Sequence, residues 1–242
     1  MKWLVFAKRN AKEILRDPLT LIFGLGFPVI LLLLLTLIQR NIPVSLFELE
    51  SLTPGIVVFG YSFLSLFAAL LVSKDRSTSF LLRLFSSPMA AADFILGYLL
   101  PLIPMAAVQC LLTYFAAALL GLTLTVHTLA SGALSLLTAV MFISLGLLLG
   151  SVLNDKQVGG VCGALLTNLS AWLSGTWFSL ELIGGWFRNI AFVLPFANGV
   201  ELGRAAILGN YGSLTPYLWW CLGYAVVLTA AAILVFRSKM KE

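Results

Sequence analysis

A catalytic or ion-coupling centre needs nucleophiles, acids or metal ligands at set spacings, and this chain offers few. No GxxxxGK[ST] loop occurs to cradle nucleotide phosphates, and neither HExxH nor GxSxG is present. The one histidine, His127, leaves no acid–base triad to assemble. Cys110, Cys162 and Cys221 lie singly in apolar runs, with no CxxC and no neighbouring His, and read as free packing thiols. The polar groups set deep in apolar runs are modest: Gln109, Thr113, and Asn168 with Thr167, Ser170 and Trp172 around it. Buried amides of this kind more often join helices than touch a substrate, with Asn168 the first candidate for a pathway residue. No catalytic, cofactor or metal residue is expected on the chain, and any uphill work must draw its energy from another protein.

The setting explains this scarcity. Of 242 residues, 60% are hydrophobic and 10% charged, and the mean hydropathy is +1.03. Soluble domains carry about 25% charged residues, so the chain is predicted to be integral to a membrane. Its net charge of +5 does not point to nucleic acid, because the cations flank apolar runs and no soluble domain remains to present a basic groove.

Six apolar runs are long enough to cross a bilayer: 19–38, 55–73, 94–120, 129–153, 158–178 and 217–236. Residues 1–17 are too charged to cross. They place Trp3, Leu4, Ala7, Ala11, Ile14 and Leu15 on one helical face and Lys8, Arg9, Lys12, Glu13 and Arg16 on the other, the pattern of an interfacial helix. Asp17-Pro18 then caps and opens the first span. Gly24, Gly26 and Pro28 predict a kink there or the close approach of a neighbour, while Gly146 and Gly150, with Gly159, Gly160 and Gly163, predict close packing of the fourth and fifth spans.

Segment 179–216 is apolar enough to tempt a seventh crossing. Glu201 and Arg204 would together cost roughly 5–7 kcal/mol at depth, against a gain of about 4 kcal/mol from its apolar residues. It is therefore expected to form an outer, re-entrant pair of short helices, with Glu201 and Arg204 paired at i, i+3. Twelve of the 15 Lys and Arg then fall on one side: five before Pro18, three in 74–93, one in 154–157 and three after Phe236. The positive-inside bias makes that side, with both termini, cytoplasmic.

Segment 74–93, KDRSTSFLLRLFSSPMAAAD, is the longest polar interruption that keeps apolar residues at helical spacing. Phe80 with Leu84, and Leu81 with Leu84 and Phe85, predict a short helix starting near 77–79 whose greasy face needs a partner.

Here the pieces converge on a family. A basic N-terminal interfacial helix, six spans, Leu82-Arg83-Leu84-Phe85-Ser86-Ser87-Pro88 followed by Gly97-Tyr98-Leu99-Leu100-Pro101, and Ser174-Gly175-Thr176-Trp177-Phe178 with Pro195 and 204–209 beyond it resemble the permeases of type-2 ATP-binding-cassette exporters. The resemblance covers the whole chain. It implies an all-α membrane domain, a cytoplasmic coupling helix between spans two and three, a separate ATPase subunit holding ATP and Mg, and a second permease copy or paralogue. By the same resemblance Phe80, Leu81, Leu82, Arg83, Leu84, Phe85 and Ser86 would couple to the ATPase, and Pro195, Glu201 and Arg204 would sit at an outer gate; the polar residues at depth, Gln109, Thr113, Asn168 and Trp172, are the candidates for the pathway lining. Where the family often has Gly-Thr-Leu-Glu before the arginine, this chain has Ser79-Phe80-Leu81-Leu82. Export of a hydrophobic or amphipathic compound across the plasma membrane (the inner membrane of the cell), with lipid as a further partner, is the expected function. The alternatives are a channel or facilitator that needs no ATPase, and a membrane transferase whose chemistry lies elsewhere.

Overall fold

Long apolar runs can satisfy their backbone in a membrane only by coiling into helices, and the described residues form helices with no strand among them. The chain is seen as a computed structural model describing residues 2–43, 47–86 and 89–240, and among these every side chain but those of Lys2, Ser79, Leu82 and Arg83.

Helix α1, Lys2–Arg16, buries Phe6, Ala7, Asn10 and Ile14 against the rest of the chain, whereas Leu4, Val5 and Leu15 stay exposed. The protein-facing stripe thus shares only Ala7 and Ile14 with the apolar face of Trp3, Leu4, Ala7, Ala11, Ile14 and Leu15, and leaves Leu4 and Leu15 outward. Gly97 seats it, its missing Cβ leaving the space that the Phe6 ring fills.

Helix α2, Pro18–Gln39, starts as the Asp-Pro pair predicts. Asp17 accepts hydrogen bonds from Leu19 N at 3.1 Å and Thr20 Oγ1 at 2.7 Å. The Thr20 hydroxyl is the main reason its carboxyl is held below the usual value, with the Lys74 charge a smaller contribution. A depressed carboxylate stabilises above its unfolded pKa and loses that effect as pH falls through the folded one. Asp17→Ala should therefore cost about 1 kcal/mol at neutral pH. In thermal unfolding of the detergent-solubilised protein, the gap from wild type should close in acid. Residues Ile22–Gly26 form a π turn, and Gly24 there lies against Met105 and Phe67, the close approach that a small residue allows.

Helix α3, Leu49–Ser77, is the axis of the bundle, with every residue from 52 to 62 buried. After the short α4, Ser79–Phe85, come α5, Ala91–Leu119, and α6, Val126–Gly150. Gly146 and Gly150 do allow close packing, but against α3: a Cβ on either would strike the backbone of Ser65 or Ala69. The fifth span is not their partner, and Gly159 and Gly160 have nothing within 4 Å of where a Cβ would stand.

Helix α7 covers 155–173, opened by an Asn154/Gln157 capping box and carrying a π stretch at Gly159–Leu166. It ends at Leu173, five residues before the expected 178. Gly175 turns the chain at φ 70°, and Ser174 Oγ bonds Thr176 Oγ1 at 2.7 Å across that turn. Helices α8, Leu180–Ile183, α9, Gly185–Val193, and α10, Pro195–Ile207, follow, and α11, Tyr211–Lys239, closes the bundle.

The α9–α10 pair bends by 83°. Asn198, buried, ties the bend by donating from Nδ2 to Phe192 O at 2.8 Å and Leu194 O at 3.0 Å. From that bend α10 runs back along α6, with Gly199 on Thr138 and Gly203 on Ser131 and Pro54. Arg204 Nη2 then donates to Gly175 O at 2.9 Å. The bend and the Arg204–Gly175 contact bring the end of α10 back to the end of α7. Among the described residues five helices, α2, α3, α5, α6 and α11, are long and apolar enough to cross a membrane, or six with the bent pair counted as one span. Helix α7 falls outside that set, yet its 19 residues run from Asn154 at the basic end to Gly175 at the other, about 28 Å at 1.5 Å per residue.

Candidate functional site

The α4 helix lies where the chain leaves α3, capped by Thr78. Leu81 is 2% exposed. The Phe85 ring meets Phe94 at 5.8 Å and Phe236 at 5.9 Å, edge to face, and Phe80 stacks near Phe6 at 6.5 Å. The greasy face that looks unpartnered in the sequence thus finds its partners in α1, α5 and α11 of the same chain. Burial of these rings holds α4 to three other helices at once. Ser86 is exposed at its end. The side chains of Leu82 and Arg83, and Ser87 and Pro88 entirely, lie outside the described residues.

Beside α4 is an ion-pair network that the motif reading missed. Asp75, 3% exposed, receives Arg9 in a bidentate fork, Nη1 to Oδ2 at 2.6 Å and Nη2 to Oδ1 at 2.8 Å. Tyr98 OH donates to the same Oδ2 at 2.8 Å. The Arg9 guanidinium also pairs with Glu13 at 2.9 Å and stacks 4.4 Å from the centre of the Phe80 ring. Asn10 Nδ2 donates to Gly97 O at 3.1 Å. One carboxylate therefore ties α1, the end of α3, α4 and α5 together through charge-assisted bonds, stronger than neutral ones. The signal for Asp75 is legible in retrospect: it extends the buried stripe Tyr61, Ser65, Ala68, Val72 of α3, and it is the only acid between Glu50 and Asp93.

At the opposite end Arg204 is the joint. Its Nε donates to Ser51 O at 3.0 Å and its Nη2 to Gly175 O, while Nη1 pairs with Glu201 at 2.7 Å, the i, i+3 contact expected from the sequence. Pro195 is buried at the start of α10. Arg204→Gln should lower stability by about 2 kcal/mol, because two backbone carbonyls lose a charged donor. Glu201→Gln should change it by less, about 1 kcal/mol, because Arg204 keeps both carbonyls and the amide oxygen can still accept from it. Thermal unfolding in detergent separates the two.

The polar residues at depth do not converge. Gln109 and Thr113 are buried between α3 and α5, with Gln109 Nε2 donating to Val57 O at 3.1 Å and Thr113 Oγ1 donating to Gln109 O at 2.8 Å. Asn168 and Trp172 instead face outward from α7, Trp172 at 56% exposure. Within one chain, then, Gln109 joins α5 to α3 and Thr113 bonds back within α5, whereas Asn168 and Trp172 are exposed.

The family model for ABC-2 type transporters matches residues 1–208. The chain belongs to the ABC-2 type transporter family. Among curated proteins none matches it. As an ABC-2 membrane domain with several apolar helices it is a multi-pass membrane protein and a permease subunit of an ABC-type transporter. The matched region runs from α1 through α4 and α7 to the Arg204 joint, so both ends of the bundle lie inside it. Permeases of this family generally leave ATP hydrolysis to a separate ABC ATPase.

Proposed function

We propose that this ABC-2 permease works as half of an ATP-driven exporter, paired with a second copy or a paralogue, and that its basic end faces the cytoplasm. Six helices cross: α2, α3, α5, α6, α7 and α11, with α8 to α10 as an outer re-entrant cap. A separate ATPase holding Mg-ATP docks on the loop formed by α4 and its flanks. The observation that carries this reading is the seat of α4, wedged against α1, α5 and α11 and adjoining the Arg9–Asp75–Tyr98 network. A push on α4 would reach four helices. In this reading Phe80, Leu81, Leu84 and Phe85 pass motion to the spans, and Arg83 and Ser86 meet the ATPase. The outward side of α7, with Asn168 and Trp172 beside Gly160 and Ala164, supports a pathway between two permeases. Its cargo would be hydrophobic or amphipathic, as aliphatic and aromatic walls favour.

Single-cysteine crosslinking tests the docking. The three native thiols are buried, so Ser77→Cys or Ser86→Cys supplies the accessible one. Crosslinking to the ATPase at these positions, suppressed by Mg-ATP or enhanced by it, is expected. Free alkylation of both positions in a transporter that still pumps would contradict it.

A further inference from the structure

The basic face of α1 does not open onto plain solvent. It forms one wall of an open cleft of about 960 Å³ whose other wall is Phe67, Leu70 and Leu71 of α3, with the start of α2 at its mouth. Cations and apolar side chains thus face each other across one space. Lys8, Lys12, Arg16 and Lys74 line it and are exposed, and none of them forms an ion pair among the described residues. The two carboxylates in the same lining are already engaged: Glu13 with Arg9 at 2.9 Å, and Asp17 with Thr20 Oγ1 at 2.7 Å and Leu19 N at 3.1 Å. Asp17, bonded only to neutral donors, keeps its charge, but five cations against two carboxylates in the lining leave the cleft a net positive side opposite a greasy one. Its apolar mouth, Val5 and Leu19, is 74% and 63% exposed, on the flank where α1 meets the first membrane-length helix.

We infer that this cleft is a binding site for one anionic phospholipid of the surrounding leaflet, its phosphate held by Lys12, Arg16 and Lys74 and an acyl chain laid past Val5 and Leu19 onto Leu70. A soluble phosphate would leave the apolar wall wet, and a neutral lipid would leave the cations unpaired. Only an anionic amphiphile satisfies both walls, and its occupancy would brace α1 against α3 beside the Arg9–Asp75 pair. The inference does not depend on the transport reading: it needs only a chain that lives in a membrane.

Native mass spectrometry of the full-length protein in detergent tests it, with phosphatidylglycerol and phosphatidylcholine of matched acyl chains as probes. Wild type should retain phosphatidylglycerol at least ten-fold better. Each basic side chain near an anionic lipid is worth roughly a factor of five, so K12Q/R16Q/K74Q should weaken phosphatidylglycerol about 100-fold. Arg40→Gln with Arg188→Gln, at the opposite end, should leave it unchanged. Equal retention of the two lipids by wild type, a comparison that needs no variant, would overturn the proposal. So would an unchanged preference in the triple variant, an equal loss in the distal pair, or displacement of the lipid by glycerol phosphate or an acidic peptide at the same concentration.

Discussion

Asp75→Ala is expected to lower the stability of the permease by about 3 kcal/mol and to uncouple it. Removing one partner of a buried ion pair typically costs 3–5 kcal/mol, since the other charge is left without compensation. Here the lower end applies, because the Arg9 side chain is 37% exposed and keeps Glu13. Tyr98 OH loses its acceptor as well. A double-mutant cycle of Asp75→Ala with Arg9→Gln, read by thermal unfolding in detergent, should give a coupling energy above about 1 kcal/mol. Additive effects would mean that the fork contributes little. On the proposed docking of α4, ATP turnover should persist in Asp75→Asn while transport falls, because α1 would lose its charged tie to α3 and keep, toward α4, the Phe6 and Arg9 contacts with Phe80.

The second large effect belongs to Gly146. A Cβ there would overlap the carbonyl of Ser65 on α3, and backbone, unlike a flexible side chain, cannot step aside. Overfilled interfaces cost 1–3 kcal/mol and occasionally more. Gly146→Leu should therefore cost at least about 3 kcal/mol, or prevent recovery of folded protein, with Gly146→Ala between it and wild type. Gly160→Ala is the contrast. With nothing within 4 Å of its Cβ position, it should leave the isolated chain within about 0.5 kcal/mol of wild type, helped by alanine's helix propensity. If α7 meets a second permease, the same variant should still weaken association, measured by crosslinking between copies.

These two sites mark how far the sequence could be read. Hydropathy placed five of the long helices to within six residues at either end, because a membrane-length apolar run has no other way to satisfy its backbone. The Glu201–Arg204 pair was legible too, from its i, i+3 spacing. The seat of α4 was not legible. A helix with Phe80, Leu81, Leu84 and Phe85 on one side reads as awaiting a partner, and no periodicity says whether that partner is another protein or Phe6, Phe94 and Phe236 of the same chain. Asp75 was hidden for a related reason. In a loop of basic residues an acid looks like a solvated charge, until α3 is seen to stay helical to Ser77 and carry it inward. Gln109 and Asn168 look alike in sequence, and only the structure separates the inward amide from the outward one.

The most direct test of the account is flux in proteoliposomes containing the permease, with a fluorescent amphiphile as cargo, measured with and without the ABC ATPase and Mg-ATP. Transport that requires both, in the direction away from the ATPase side, is the predicted result. Flux of equal rate with neither ATPase nor nucleotide would contradict it and make the chain a self-contained channel or facilitator.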